Sequence, residues 1–178
     1  MKLSENRALI SILLALVWVT MTLVGLTACK PKETELPFET LVHDNLGYFG
    51  ATYESMDLMV ATDVTEAQQI ADTLSPENPG KRFEEIADID YEEYLVIVAY
   101  FGTRVYSKTA ITIEKVTQIE DVVDVIISTV EPMAGDRIIV HPIHIIKVKK
   151  DDLLVRGPLV FRLWKESEII LTREHVVP

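Results

Sequence analysis

From Tyr91 to the end of this 178-residue chain, apolar segments of strand length alternate with short turns, and that rhythm leaves few folds open. Tyr94-Leu95-Val96-Ile97-Val98-Ala99-Tyr100-Phe101 is apolar throughout and is stopped by Gly102, the composition of a central strand buried on both faces. Thr109 to Val116 and Val122 to Val130 alternate instead, with Ile111, Ile113, Val123, Val125 and Ile127 opposed to Thr112, Glu114, Asp124 and Ser128. Glu131 to Asp136 turns the chain into a long strand, Ile138 to Lys149, where Pro142 cannot donate to a ladder and so predicts an edge position or a bulge. Lys150-Asp151-Asp152 and Gly157-Pro158 turn the chain again, and Leu159 to Trp164 and Ile169 to Thr172 bring the count to about six strands. Connections of hairpin length predict antiparallel pairing, since a parallel sheet needs crossover helices for which there is no room.

The first half adds one helix. Asp63 stands three residues before Glu66, the spacing of a capping box, and Val64, Ala67, Ile70, Ala71 and Leu74 recur at helical spacing until Ser75-Pro76 ends the pattern. Before it, Leu58 to Ala61 has strand length, and Phe38 to Tyr53 reads as extended chain with turns and one strand. The fold class expected is mainly β (α+β): an antiparallel sheet or sandwich of about six strands with one early amphipathic helix, preceded by an N-terminal signal or anchor helix.

That N-terminal segment carries the clearest address in the chain. After Lys2 and Arg7, Ala8 to Val24 runs without a charge, and Leu26-Thr27-Ala28 then precede Cys29, the single cysteine. Leu26-Thr27-Ala28-Cys29 resembles the lipobox of bacterial lipoproteins, which implies diacylglyceryl transfer to the Cys29 thiol and cleavage just before it. Lipidation also accounts for a cysteine with nothing to pair with. The resemblance divides the chain into a signal peptide, residues 1–28, a polar tether, 29–37, and one domain, 38–178. An uncleaved anchor is the alternative, since Ala8 to Ala28 is 21 residues long and roughly 20 span a bilayer. Either way the rest of the chain faces outside the cytoplasmic membrane. Removing residues 1–28 takes away two basic residues and one acidic one, so the net charge moves from −11 to −12. A surface this acidic repels nucleic acid and anionic headgroups, so neither is expected as a partner and the lipid on Cys29 is the expected link to the membrane.

Catalytic signatures are sparse. His141-Pro142-Ile143-His144 has two imidazoles three residues apart, which on a strand point to opposite faces, and no H-E-x-x-H or second cysteine joins them. The acidic stretch Glu84, Glu85, Asp88, Asp90, Glu92 and Glu93 lacks the spacing of a calcium loop and reads as a solvated edge. None of Ser75, Ser107, Ser128 or Ser167 lies in a G-x-S-x-G elbow. No catalytic residue, metal ligand or cofactor is therefore assigned. The contrast that stands out is Arg104, Tyr106 and Lys108, a basic and aromatic turn on an acidic chain, and these residue types are the ones that concentrate binding energy at partner contacts.

Tyr94 to Gly102, Thr112 to Val116, Val122 to Val130 with Glu131-Pro132 and Gly135-Asp136, and His141-Pro142 leading to Ile146-Lys147-Val148-Lys149 follow one another in an order that resembles the C-terminal domain of PrcB, a bacterial protease complex subunit, and of lipoproteins that carry it. The likeness covers about residues 88–150. The family's glycine pair in the turn after the first strand is replaced here by Thr103 to Lys108. The resemblance implies a non-catalytic β domain that stabilises or helps assemble another envelope or secreted protein, a protease among the candidates. The alternative is an envelope lipoprotein that binds a small molecule or peptide between the Val64 to Leu74 helix and the sheet.

Overall fold

The computed structural model describes residues 31–47, 55–74 and 84–178, and Lys32–Pro178 form one unit. Two sheets face each other. The first runs β1 (Thr34–Glu35), β6 (Ala110–Ile119), β7 (Val122–Val130), β9 (Gly157–Lys165) and β10 (Glu168–Val177). The second runs β2 (Phe38–Gly47), β8 (Arg137–Lys149), β4 (Tyr94–Tyr100) and β3 (Asp57–Ala61), with β5 (Arg104–Tyr106) joining β8 beyond the end of β4. The helix α1 (Val64–Leu74), the single turn α2 (Glu84–Ala87) and a 3-10 turn at Lys150–Asp152 complete the described elements. The mainly β fold with one early amphipathic helix is the one expected, in its sandwich form and with ten strands among the described residues where about six were expected, while the signal or anchor helix lies outside the described residues.

Hydrophobic patterning explains the layering. Leu95, Ile97 and Ala99 of β4 and Ile146 and Val148 of β8 pack between the sheets against Val123, Val125, Phe161 and Leu163. The alternate residues Val96, Val98, Tyr100, Ile143 and Ile145 point the other way, under Ala67, Ile70, Ala71 and Leu74 of α1. The second sheet is thus buried on both faces, which is why β4 is apolar at every position. Each fully buried aliphatic or aromatic side chain contributes about 1.5–3 kcal/mol here, and two layers of them hold the unit without a disulfide.

Several local expectations are corrected. Val64 is exposed, so the buried face of α1 starts at Ala67. The Asp63 carboxylate accepts from the Glu66 amide at 2.8 Å as the capping box requires, yet Glu66 reaches back one residue further than expected, to the Thr62 amide at 2.7 Å and hydroxyl at 2.9 Å. Pro142 lies neither on an edge strand nor in a bulge of β8, which is interior between β2 and β4. Its carbonyl accepts from Phe101 at 2.9 Å, and the amide it lacks faces the break between β4 and β5, where Gly102 turns with φ 79°. The irregularity that proline demands has been placed in the neighbouring chain segment. Pairing is antiparallel except for β7 and β9, which are parallel from Val122↔Val160 to Ile127↔Lys165. No crossover helix was needed, because β8 in the opposite sheet makes the return journey. The folded unit also begins before residue 38, inside the stretch 29–37 expected as a tether: Thr34 and Glu35 pair with Gln118 and Thr117, and Leu36 is 1% exposed.

Candidate functional site

Cys29 and the lipobox residues Leu26, Thr27 and Ala28 lie outside the described residues. Arg104, Tyr106 and Lys108 do not form a free hairpin tip. Arg104 pairs with Val140 and Tyr106 with Arg137, so β5 and the start of β8 make an antiparallel ribbon, with Val140 also paired to Gly47 of β2. Two residues separate these pairs on β8 and one on β5, a bulge in which Ile138 and Ile139 oppose Val105. The ribbon is closed by Ser107 N–H to Asp136 O at 3.2 Å and Thr109 N–H to Tyr106 O at 3.0 Å, with Lys108 exposed in the turn. Arg104 lays its guanidinium 4.0 Å from the centre of the Phe101 ring and donates from Nη1 to Thr103 O at 2.8 Å, while its buried Nε has no partner among the described residues.

What surrounds the turn is more informative than its charge. Val105, Val130, Met133, Ile138 and Ile139 are between 41% and 94% exposed, and the register brings all five to one end of the sandwich. Five large apolar side chains thus stand in water at one end of the sandwich, more than singly scattered exposure would place there. The chain joins the sandwich at the other end: Thr34 pairs with Gln118, near the end of β6 away from Ala110, and a ten-residue strand is roughly 30 Å long.

A second feature lies along the side of the sandwich. A cleft of about 320 Å³ runs between β3, α1 and β10, in the region expected for a ligand site. Asp57, which is buried, holds Arg173 Nη2 at 2.7 Å and also accepts from the Leu58 amide at 2.8 Å. Glu66 Oε2 lies 3.1 Å from His175 Nε2 in addition to its two bonds to Thr62. A threonine, a histidine and a glutamate therefore meet, but Thr62 Oγ1 at 3.4 Å and Glu66 share the same imidazole nitrogen. A nucleophile relay needs the base to contact hydroxyl and carboxylate through different nitrogens, so this trio braces the cleft rather than activating Thr62.

His141 and His144 face opposite ways, as strand alternation predicts. The Tyr100 hydroxyl meets His141 Nδ1 at 2.9 Å on the helix side, where burial pushes the phenol up to about 12 and the imidazole below its ordinary value. His144 points between the sheets and accepts the Ile113 amide on Nδ1 at 2.7 Å, so its proton sits on Nε2, 3.0 Å from Thr40 Oγ1. His43, directly opposite on β2, meets Ile111 O through Nε2 at 3.0 Å, and the two rings lie 4.5 Å apart. Ile111 C=O and Ile113 N–H face the side of β6 away from β7, so two imidazoles stand where another strand would pair. Burial and the neighbouring His43 push His144 down to about 4, which keeps the ring neutral. In the acidic stretch, Asp90 accepts from the Glu92 amide at 3.0 Å and Glu93 pairs with Lys149 at 2.7 Å. Among the described residues, no three His, Cys, Asp or Glu side chains converge as a metal site would require.

The apolar members of the ribbon and the cleft residues contributed by β3 and β10 were missed from sequence; only the helix side of the cleft, Val64 to Leu74, was anticipated. Val105, Ile138 and Ile139 read as strand residues, and nothing local says that their side chains stay exposed. The pairs Asp57 with Arg173 and Glu66 with His175 join residues more than a hundred positions apart. No family model, no curated protein and no solved structure matches this chain.

Proposed function

We propose that this chain is a lipid-tethered extracytoplasmic protein that acts without catalysis, docking and stabilising a partner envelope or secreted protein through the β5–β8 ribbon. The observation that carries the reading is the set of five exposed apolar side chains at the end of the sandwich opposite the point where the chain joins it. Cys29, the proposed attachment, precedes Thr34 by five residues, and the ribbon lies at the end of the folded unit far from where the chain enters it. Arg104, Tyr106 and Lys108 supply the polar rim around an apolar centre, the usual anatomy of a protein contact. The sequence resemblance of about residues 88–150 to the C-terminal domain of PrcB supports a protease as the partner.

The test uses the full-length protein recovered from its own membranes in detergent. A protein retained in stoichiometric amount, and lost at least tenfold on Val105→Asp with Ile138→Asp while the melting temperature stays within a few degrees, is the expected result. Retention unchanged in that variant would refute the surface. Cys29→Ala is expected to abolish incorporation of labelled palmitate and to release the protein from the membrane fraction; continued labelling would refute the lipid tether.

A further inference from the structure

We propose that the cleft between β3, α1 and β10 is a second binding site, independent of the ribbon, that takes an extended basic peptide segment and pairs it with the outer edge of β3 at Val60. The argument begins with backbone direction. β3 pairs on one side with β4 and is the last strand of its sheet among the described residues. In an antiparallel strand, alternate residues send N–H and C=O toward the partner and away from it. The Leu58 amide is taken by the Asp57 carboxylate and the Thr62 amide by the Glu66 carboxylate, at 2.8 and 2.7 Å, so the even-numbered residues are the ones facing away from β4. Val60 lies between them, and its N–H and C=O are the outward pair that neither carboxylate reaches.

The side chains of Leu58 and Val60 are buried between the sheets, so what these residues present to the cleft is backbone. Gln69, Ile70 and Thr73 of α1 and Arg173, Glu174 and His175 of β10 complete the lining of the cleft beside that edge. A strand edge facing a helix across a cleft is the geometry in which a peptide adds as a further strand, its backbone bonds supplying affinity and alternate side chains meeting the helix. The two carboxylates limit the pairing to a short register, because they occupy the amides on either side.

Charge selects the occupant. Asp57, Glu66 and Glu174 line the cleft against Arg173, with His175 already engaged by Glu66. Asp57 and Arg173 neutralise each other, which leaves an acidic rim on a chain of net charge −11. A peptide with lysines flanking a β-branched centre fits both the edge and the field.

The probes are acetyl-Lys-Val-Thr-Val-Lys-amide and its counterpart with glutamate in place of both lysines, titrated into the full-length protein in detergent micelles by calorimetry, with hydrogen exchange followed at the Val60 amide. The lysine peptide is expected to bind at least tenfold more tightly than the glutamate peptide and to slow Val60 exchange at least tenfold. Glu174→Lys, at an exposed rim position, is expected to weaken the lysine peptide at least fivefold. Val60→Pro removes the outward donor without removing a bond to β4, and is expected to abolish binding; if it does not fold, the exchange and Glu174 measurements decide. Absence of binding by the lysine peptide, equal binding of the two peptides, or unchanged Val60 exchange at saturation would each overturn the proposal. So would slow Val60 exchange in the peptide-free protein, which would mean that the edge is already covered by the chain itself or by a second copy.

Discussion

At the scale of the residue, His144 carries the clearest consequence. Its Nδ1 accepts the Ile113 amide, so a proton placed there would meet an N–H in place of a lone pair. The folded value near 4 lies below the ordinary 6.5, so between those values the unfolded chain binds a proton that the folded one does not. Stability is therefore fully present above about pH 6.5 and falls as pH drops toward 4. His141, pushed the same way by burial, adds to the slope. His144→Asn keeps an acceptor near Ile113 and removes the titration, so urea midpoints measured from pH 7 to pH 4 should fall less steeply than in the parent; an equal slope would clear His144 of the effect. The sequence showed that the two histidines of His141-Pro142-Ile143-His144 part company. It did not show that one of them, with His43, would take the place of a strand.

At the scale of the element, legibility followed period. α1 could be read because Ala67, Ile70, Ala71 and Leu74 recur every three or four residues, and β4 because nothing polar interrupts it. The second half of β10 could not, since Arg173, Glu174 and His175 carry no alternation; their roles are set by partners on β3 and α1. The parallel pairing of β7 with β9 was invisible for a related reason: hairpin-length connections give no sign that β8 changes sheets between them. The β9–β10 turn was similarly disguised. Glu166 and Ser167 hold φ of 50° and 73°, conformations that glycine and asparagine adopt most easily, yet neither residue type is present. Replacing the pair by Asn-Gly should stabilise the domain by about 1 kcal/mol, a rise of roughly 2–4 °C in melting temperature for a domain of this size. A fall in melting temperature would show that the Glu166 or Ser167 side chain contributes more than its backbone costs.

At the scale of the whole molecule, the folded unit begins earlier than its polar composition suggests. Leu36 is buried among Val116, Val123 and their neighbours, so Leu36→Ala should cost about 2–5 kcal/mol, as truncation of any core leucine does. A cost near zero in denaturant titration would place this segment outside the folded core. The positions of the first strands also determine how the molecule bears load. β2 starts at Phe38, opposite Val148, while β8 starts at Arg137 in the ribbon, so the two strands enter their shared ladder from opposite ends of the sandwich. A pull between Thr34 and the ribbon runs along these strands and across their hydrogen bonds. Tension is then shared by the whole ladder at once, and the molecule resists as a shear joint where a hairpin pulled from one end would unzip bond by bond.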